Sequence, residues 1–312
     1  MIRKPVVSGA FYPDNKELLK KQIGDFLDRA QKIVKEKIQI LIVPHAGYDY
    51  SGQTAAWGFK QLQGEKYNRV ILIGGSHKSW FDKAAVYDHG VWETPLGRVN
   101  IDAERAINLI TESNFIEANT AVHQEEHSLE VEVPFLQQVL GDFKFLPILL
   151  SRPRTEVLEA LASAVARNID TNTLIVISTD LSHYPSYDVA NKVDKKTIQL
   201  ILDGELNKFC SWVNQSEKGE IKGVETAACG SSAVAVALRL VKKLAVDNIR
   251  LLNYQNSGDV TGDKSRVVGY AAIGFYNVHL RGAASRLRQG FGGQARHLGG
   301  GRMDSSEVKT VE

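Results

Sequence analysis

Apolar runs of strand character alternate along this chain with segments whose apolar residues recur at helical spacing. Runs of this length, rich in branched side chains, are typical of strands buried on both faces of a sheet. Parallel neighbours of this kind need a helix between them. The pattern therefore predicts a three-layer α/β/α sandwich with a central sheet that is mostly parallel or mixed. The four clearest runs are IQILIV (38–43), NRVILIGGSH (68–77), FKFLPILL (143–150) and TLIVIS (173–178).

The remaining elements follow from the same periodicities and from turn residues. VYDHGVWETPLGRVNID (86–102) predicts a hairpin or polar excursion because TPLG supplies a turn between two short apolar runs. The last two strands are predicted in IRLLNYQ (249–255) and SRVVGYAAIGFY (265–276). Helices are predicted over residues 16–36, 53–62, 103–111, 156–166, 188–202 and 231–244.

Composition limits the classes of partner and the location. A net charge of +2 in 312 residues, with acids and bases interleaved, gives no reason to expect a nucleic-acid or membrane partner. Two cysteines, Cys210 and Cys229, and no apolar leader favour a reducing cytoplasm. We expect one domain over 1–277. Residues 278–312 are rich in Gly, Arg and Ser and predict a disordered tail, more simply a dispensable extension than an RNA-binding segment.

Candidate metal ligands follow three of the predicted strands. His45 comes after LIVP, His77 after ILIGGS, and Asp180 with His183 after LIVIS. The carboxyl ends of strands in an open α/β sheet converge on one crevice, so these side chains can meet. Cys229 lies just before an apolar helix, whose N-terminus favours a thiolate. Imidazole and thiolate together suit iron, copper or zinc.

Each of these residues also has a plainer interpretation. A single His after a strand usually packs in a loop, and a buried Cys is usually an inert small hydrophobe. Asp180 can instead cap a turn. The case for a site rests on the same pattern at three strand ends.

The densest polar cluster is HQEEHSLEVEVPFL (123–136). We place His127 and Glu130 toward the pocket, with Glu130 in the first turn of a helix, where the helix dipole favours a carboxylate. His123 and Glu125 are expected on a solvated acidic loop.

Two Gly-containing stretches are weaker signals. Gly74 to Ser76 can form an anion-binding nest, but no phosphate-binding spacing is present. NSGDVTGDKSRVVGYAA (256–272) is expected to be a loop beside the last strand rather than a pocket rim. Its polar residues are Ser257, Asp259, Asp263, Ser265 and Arg266.

Several motifs, taken together and in order, resemble the MEMO family, which in microbes is also called AmmeMemoRadiSam system protein B. The resemblance covers residues 1 to about 277. The motifs are SGAFYP, PHAGYDYSG, IGGSH, TPLG, EEHSLEVEVPFL, STDLSHY, ACG and NSGDVTGDKSRVVGYAA.

The resemblance implies a fold similar to LigB-type class III extradiol dioxygenases and a metal site of two histidines and a cysteine. By motif these are His45, His77 and Cys229, with Asp180 and His183 lining the pocket. The dioxygenases have a glutamate where Cys229 stands, and a thiolate favours softer metals and changes the potential of iron. Shared fold alone does not establish ring cleavage.

Three functions follow as hypotheses. The first is metal-dependent redox chemistry on a small molecule, with iron (Fe2+) as the expected metal and copper as the alternative. His183, Asp180 and His127 would be catalytic, and the pocket wall would include Tyr48, Tyr50 and Tyr184. An AMME-domain protein and a radical SAM protein are the partners implied by the resemblance.

The second hypothesis is a metal-binding or protein-recognition module that retains the dioxygenase fold without turnover. The third is a cysteine hydrolase that pairs Cys229 with His183.

Overall fold

A computed structural model describes residues 1–277, and the predicted tail, 278–312, lies outside the described residues. The described part is an α/β protein with a large, mixed, mostly parallel sheet between helices, as predicted. Its strands are β1 (Ile2–Arg3), β2 (Ile38–Val43), β3 (Arg69–Gly75), β4 (Ala84–Val86), β5 (Val91–Thr94), β6 (Gly97–Ile101), β7 (Ile116–Ala118), β8 (Lys144–Leu150), β9 (Thr173–Ser178), β10 (Asn248–Asn256) and β11 (Gly269–Tyr276).

The helices connect these strands, and none in the described residues is long and apolar enough to cross a membrane. A 3-10 turn also occurs at Ala121–His123. The α-helices are α1 (Lys16–Arg29), α2 (Tyr48–Lys60), α3 (Ala103–Glu112), α4 (Glu132–Leu140), α5 (Thr155–Arg167), α6 (Tyr187–Leu202), α7 (Leu206–Glu217), α8 (Ser231–Lys243) and α9 (Ser257–Thr261).

The centre of the sheet is a block of five parallel strands in the order β6-β8-β3-β9-β2. Antiparallel β11 and β10 extend it on one side, and the predicted hairpin of β5 and β6, followed by β1, extends it on the other. In the register, Ser178 is the partner of both Val43 and Gly74. The carboxyl ends of β2, β9 and β3 therefore lie side by side.

Alternate residues of the central strands supply two apolar cores, one on each face of the sheet. Ile40 and Ile42 of β2 pack with the face covered by α5 to α8, whereas Leu41 and Val43 pack with the face covered by α1, α2 and α4. This period of two is why the strands are apolar throughout. A sheet buried on both faces gives its strand ends a fixed relative position.

Helix α1 ends earlier than predicted. Its last residue is Arg29 rather than Glu36, because the side chain of Gln61 takes over the backbone hydrogen bonds that a longer helix would make. Gln61 accepts from the N–H groups of Ile33 and Val34 and donates to the carbonyl of Gln31. Ala30, which follows the last helical residue, has an extended backbone.

Helices α2 and α7 also differ from prediction. Helix α2 begins at Tyr48, five residues before the predicted start, and the N–H of Tyr48 donates to the carbonyl of Phe11. Helix α7 was not predicted, although its apolar residues do recur at helical spacing, at Leu206, Phe209, Cys210 and Val213.

Candidate metal centre

Adjacent strand ends position the candidate ligands. His45, His77 and Asp180 each lie two residues beyond the last residue of β2, β3 and β9, respectively. Cys229 enters from the opposite direction, two residues before α8. Because the three strands are neighbours in the sheet, the residues that follow them lie at the same edge, as predicted for the crevice of an open α/β sheet.

His45 is buried and contacts three elements of the site. Its Nδ1 lies 2.7 Å from Oγ of Ser178, and its Nε2 lies 3.3 Å from Sγ of Cys229. Its backbone N–H donates to Oδ1 of Asp180 at 2.8 Å. Burial, with smaller contributions from His77 and His127, holds the pKa of His45 well below its usual value. His45 is therefore a neutral imidazole aimed at the thiol.

His77 is held by a carboxylate. Oε1 of Glu126 lies 2.9 Å from Nδ1 of His77, and Oε2 accepts from the His77 N–H at 2.5 Å. Burial lowers the pKa of His77, but its hydrogen bonds to Cys229 and Glu126 outweigh burial and raise that pKa to about 10. Burial opposes ionisation of Glu126 too, yet His77 and backbone N–H groups depress the pKa of Glu126.

His127 completes a group of three imidazoles. Its ring centroid lies 4.7 Å from that of His77 and 5.5 Å from that of His45, and the His45 and His77 centroids are 5.2 Å apart. Burial is the main reason why the pKa of His127 is lowered to about 4. Phe11 covers the ring edge at 5.1 Å. His127 is thus a neutral base within the cluster.

Two overlapping sets of side chains have the geometry to hold a metal ion. The potential ligand atoms of each set all lie within 4.8 Å of one another. His45 belongs to both sets. Of the other two predicted ligands, His77 belongs to one set and Cys229 to the other. The sets are His45, His77 and His127, and His45, Asp180 and Cys229. Imidazole, thiolate and carboxylate donors at this spacing fit iron, copper or zinc better than magnesium or calcium.

A cleft of about 570 Å³ reaches Cys229 and Gly75 from the surface. Trp80, Arg152 and Cys210 also line it, and the Arg152 guanidinium stacks 4.7 Å from the Trp80 ring centroid. Its volume is in the range typical of small-molecule sites. A depression of about 690 Å³ at the other edge of the sheet has no candidate metal cluster among the described residues.

Comparison with known proteins identifies the family. The model of the Memo-like protein family matches residues 3–274. This chain belongs to the Memo-like family.

Curated Memo relatives match over nearly their whole length. MEMO1 family proteins of Nitrosopumilus maritimus and Thermotoga neapolitana are 38% and 37% identical over 282 and 284 residues. The alignments cover 88% and 86% of this chain and 100% and 98% of the relatives. A solved structure of an uncharacterized Escherichia coli K12 protein aligns with 76% of this chain and 99% of its own at a TM-score of 0.44 and 11% identity, which carries no weight for function.

Asp180 and His183 have different environments in this Memo-like chain. Asp180 is buried and accepts the His45 N–H, and burial raises its pKa. Nδ1 of His183 lies 3.0 Å from the carbonyl oxygen of Leu181, and the backbone N–H of His183 donates to the carbonyl of Thr226. The histidine at the Cys229 thiol is His45 rather than His183, so the hydrolase pairing of the third hypothesis is not the one that the fold brings together.

Glu130 was expected in the first turn of a helix and in the pocket, and this prediction is wrong. Helix α4 begins two residues later, and Glu130 forms a buried salt bridge of 2.7 Å with Arg3. It also accepts from Tyr12 Oη at 2.8 Å and from the N–H groups of Val6 and Val7. Its contacts tie the N-terminal segment to the loop before α4.

The solvated-loop prediction is correct for Glu125 and wrong for His123. His123 is fully buried, its Nε2 lies 3.1 Å from the carbonyl of Ala85, and burial lowers its pKa to about 3. Arg3 donates to the carbonyls of His123 and Glu126, which folds this acidic segment inward.

Gly75 and Gly230 allow backbone segments of the site to pack closely. A Cβ on Gly75 would lie 3.1 Å from the carbonyl oxygen of Cys229, and one on Gly230 would lie 2.6 Å from that of Ser178. These glycines let the segments that carry His77 and Cys229 approach the end of β9.

The predicted pocket wall is corrected in one place. Tyr48 is buried in the core, where its Oη donates to the carbonyl of Val131, whereas Tyr50 and Tyr184 are exposed. The segment after β10 was predicted to be a loop, but its first part is the short helix α9, which Asn256 and Asp259 stabilise with a capping box.

Three residues of the site had no role predicted from the sequence. Glu126 orients His77, and Ser178 and Glu132 lie behind His45. Glu126 was visible only as one carboxylate in a dense cluster, and Ser178 only as the last residue of a strand. No spacing rule distinguishes such supporting residues from their neighbours.

Proposed function

We propose that this Memo-family protein binds a redox-active transition metal and uses it in chemistry on a small molecule. His45, His77 and Cys229 would hold the metal, with Fe2+ as the expected ion and copper as the alternative. The observation that carries the proposal is the convergence of two imidazoles, from the ends of β2 and β3, with the thiol of Cys229, which lines a cleft.

A bound iron or copper ion would supply electron transfer and polarisation of a substrate oxygen. The chain's own residues supply the proton chemistry. His127 is neutral near pH 7 because its pKa is lowered to about 4, so its imidazole can accept a proton. His183, held through Nδ1 by a carbonyl, and Asp180, held by the His45 N–H, orient the substrate.

Metal titration under anaerobic conditions tests the binding step. Co2+ replaces Fe2+ or Zn2+ in many sites and reports a thiolate ligand by a charge-transfer band. We expect this band in the wild-type protein and its loss in Cys229→Ser. Cys210→Ser is the matched control, since Cys210 is the other free cysteine and lies on the wall of the same cleft. A band that survives in Cys229→Ser contradicts the ligand assignment.

The module without turnover is the alternative that the titration does not distinguish. Oxygen consumption by the iron-loaded protein, measured with and without catechol-like compounds, separates the two. Consumption that requires both His45 and the added compound supports redox chemistry, and metal binding without any oxygen consumption supports the module. We also propose, from the resemblance alone, an AMME-domain protein and a radical SAM protein as partners, and co-purification tests this.

A further inference from the structure

Ser178 makes three short polar contacts at the end of β9. Its Oγ lies 2.6 Å from the carbonyl oxygen of Ser128, 2.7 Å from Nδ1 of His45 and 2.9 Å from Oε1 of Glu132. His45 is a candidate metal ligand, and the other three residues lie behind it. Ser178, Ser128 and Glu132 are fully buried. Water therefore does not compete for these contacts.

The hydroxyl has one hydrogen and two lone pairs, which fixes how the three contacts are made. Two oxygen atoms 2.6 Å apart need a hydrogen between them, and a backbone carbonyl cannot supply it. Ser178 therefore donates to Ser128. The two remaining partners must then donate to Ser178, so His45 donates from Nδ1, and Glu132 donates from a protonated carboxyl group.

The surroundings of Glu132 agree with a neutral acid. No salt bridge to Glu132 occurs among the described residues, and its Oε2 is buried without a hydrogen-bond partner there. An unpaired carbonyl oxygen costs much less in a core than an unpaired carboxylate. Burial also raises the pKa of Glu132 well above its usual value.

We propose that Ser178, fixed by Ser128 and by a neutral Glu132, is a positioning residue that keeps the proton of His45 on Nδ1. The lone pair of His45 Nε2 then faces Sγ of Cys229 at 3.3 Å, which is where a metal ion would need it. The position of the proton is a property of the metal-free protein. Its consequence for metal affinity rests on the proposed function.

Nitrogen-15 NMR of the metal-free protein tests the proton position directly. The expected spectrum has His45 protonated on Nδ1 and unprotonated on Nε2, with the signal assigned by its loss in His45→Ala. In Ser178→Ala, Nδ1 loses its acceptor, and we expect the proton to move to Nε2. Protonation of wild-type His45 on Nε2 would overturn the proposal whether or not the protein binds metal.

Metal affinity and infrared spectra give two independent readouts. Ser178→Ala should weaken Co2+ binding about 10- to 100-fold, the range for lost supporting hydrogen bonds, and Ser178→Thr, which restores a hydroxyl, should recover most of it. Wild-type protein at pH 7 should show the carbonyl stretch of a protonated carboxyl that Glu132→Gln lacks. Unchanged affinity in Ser178→Ala, or no such difference band, contradicts the proposal. A wild-type protein that binds no metal contradicts the proposed function instead.

Discussion

Both carboxylate oxygens of Glu126 contact His77: Oε1 lies 2.9 Å from Nδ1 of the ring, and Oε2 accepts a hydrogen bond from the backbone N–H of the same residue. One buried carboxylate thus fixes both the ring and the loop that carries it. Supporting contacts of this kind set the orientation of a histidine ligand.

Glu126→Gln should therefore weaken metal binding. The variant keeps the shape of the side chain but loses the charge that faces His77, and we expect a loss of about 10- to 100-fold in metal affinity. Glu125→Gln is the matched control, because the neighbouring Glu125 is exposed. Equal affinities in the two variants, measured by competition with a chelator, would show that Glu126 does not support the site.

The same pair predicts how the stability of the metal-free protein depends on pH. The pKa of Glu126 is depressed below 4.5, so its contribution is present above 4.5 and is lost as pH falls toward the depressed value. The pKa of His77 is raised from 6.5 to about 10, so its contribution is complete below 6.5 and is lost as pH rises through about 10. The difference in unfolding free energy between wild type and Glu126→Gln should be largest between 4.5 and 6.5. Denaturant unfolding across this range checks it, and a difference that grows toward pH 10 would contradict it.

Glu130 should matter for stability and not for metal coordination. Glu130→Gln removes the charge that pairs with buried Arg3, and breaking one partner of such a pair costs about 3–5 kcal/mol. We expect a large fall in unfolding free energy with unchanged metal stoichiometry in the folded protein. Loss of the metal from a folded Glu130→Gln variant would show instead that Glu130 is needed for metal binding.

Asp194 predicts a second pH effect, away from the metal centre. Burial raises the pKa of Asp194 from 3.8 to about 6, against hydrogen bonds from the Ser182 N–H and Tyr254 Oη. The folded state therefore holds the Asp194 proton more tightly, and wild-type stability should fall by on the order of 2 kcal/mol as pH rises from about 4 to 6. Asp194→Asn should lack this component. If the unfolding free energies of the two proteins change in parallel with pH, the prediction is wrong.

Local patterns predicted much of the fold because the central strands are buried on both faces and read as apolar throughout. The same strands predicted where His45, His77 and Asp180 would meet, since neighbouring strand ends leave little freedom. The end of α1 was missed because Gln61, far along the chain, supplies hydrogen bonds that no local pattern contains.

The roles within the acidic cluster also depended on distant partners. Arg3 lies more than a hundred residues before Glu130, and its contacts with that carboxylate and with the carbonyls of His123 and Glu126 turn a polar segment into a buried one. The local sequence around Glu126 and Glu130 would look the same if this segment were a solvated loop. The choice of which carboxylate faces His77 is therefore made by tertiary contacts.

We propose that His45, His77 and Cys229 hold one metal ion. Metal analysis of anaerobically purified protein tests it most directly, with wild type compared with His45→Ala, His77→Ala and Cys229→Ser, and with exposed His89→Ala as the control. We expect near-stoichiometric iron or copper in wild type and His89→Ala and its loss in the other three variants. Wild-type protein that stays empty after reconstitution with either metal would contradict it.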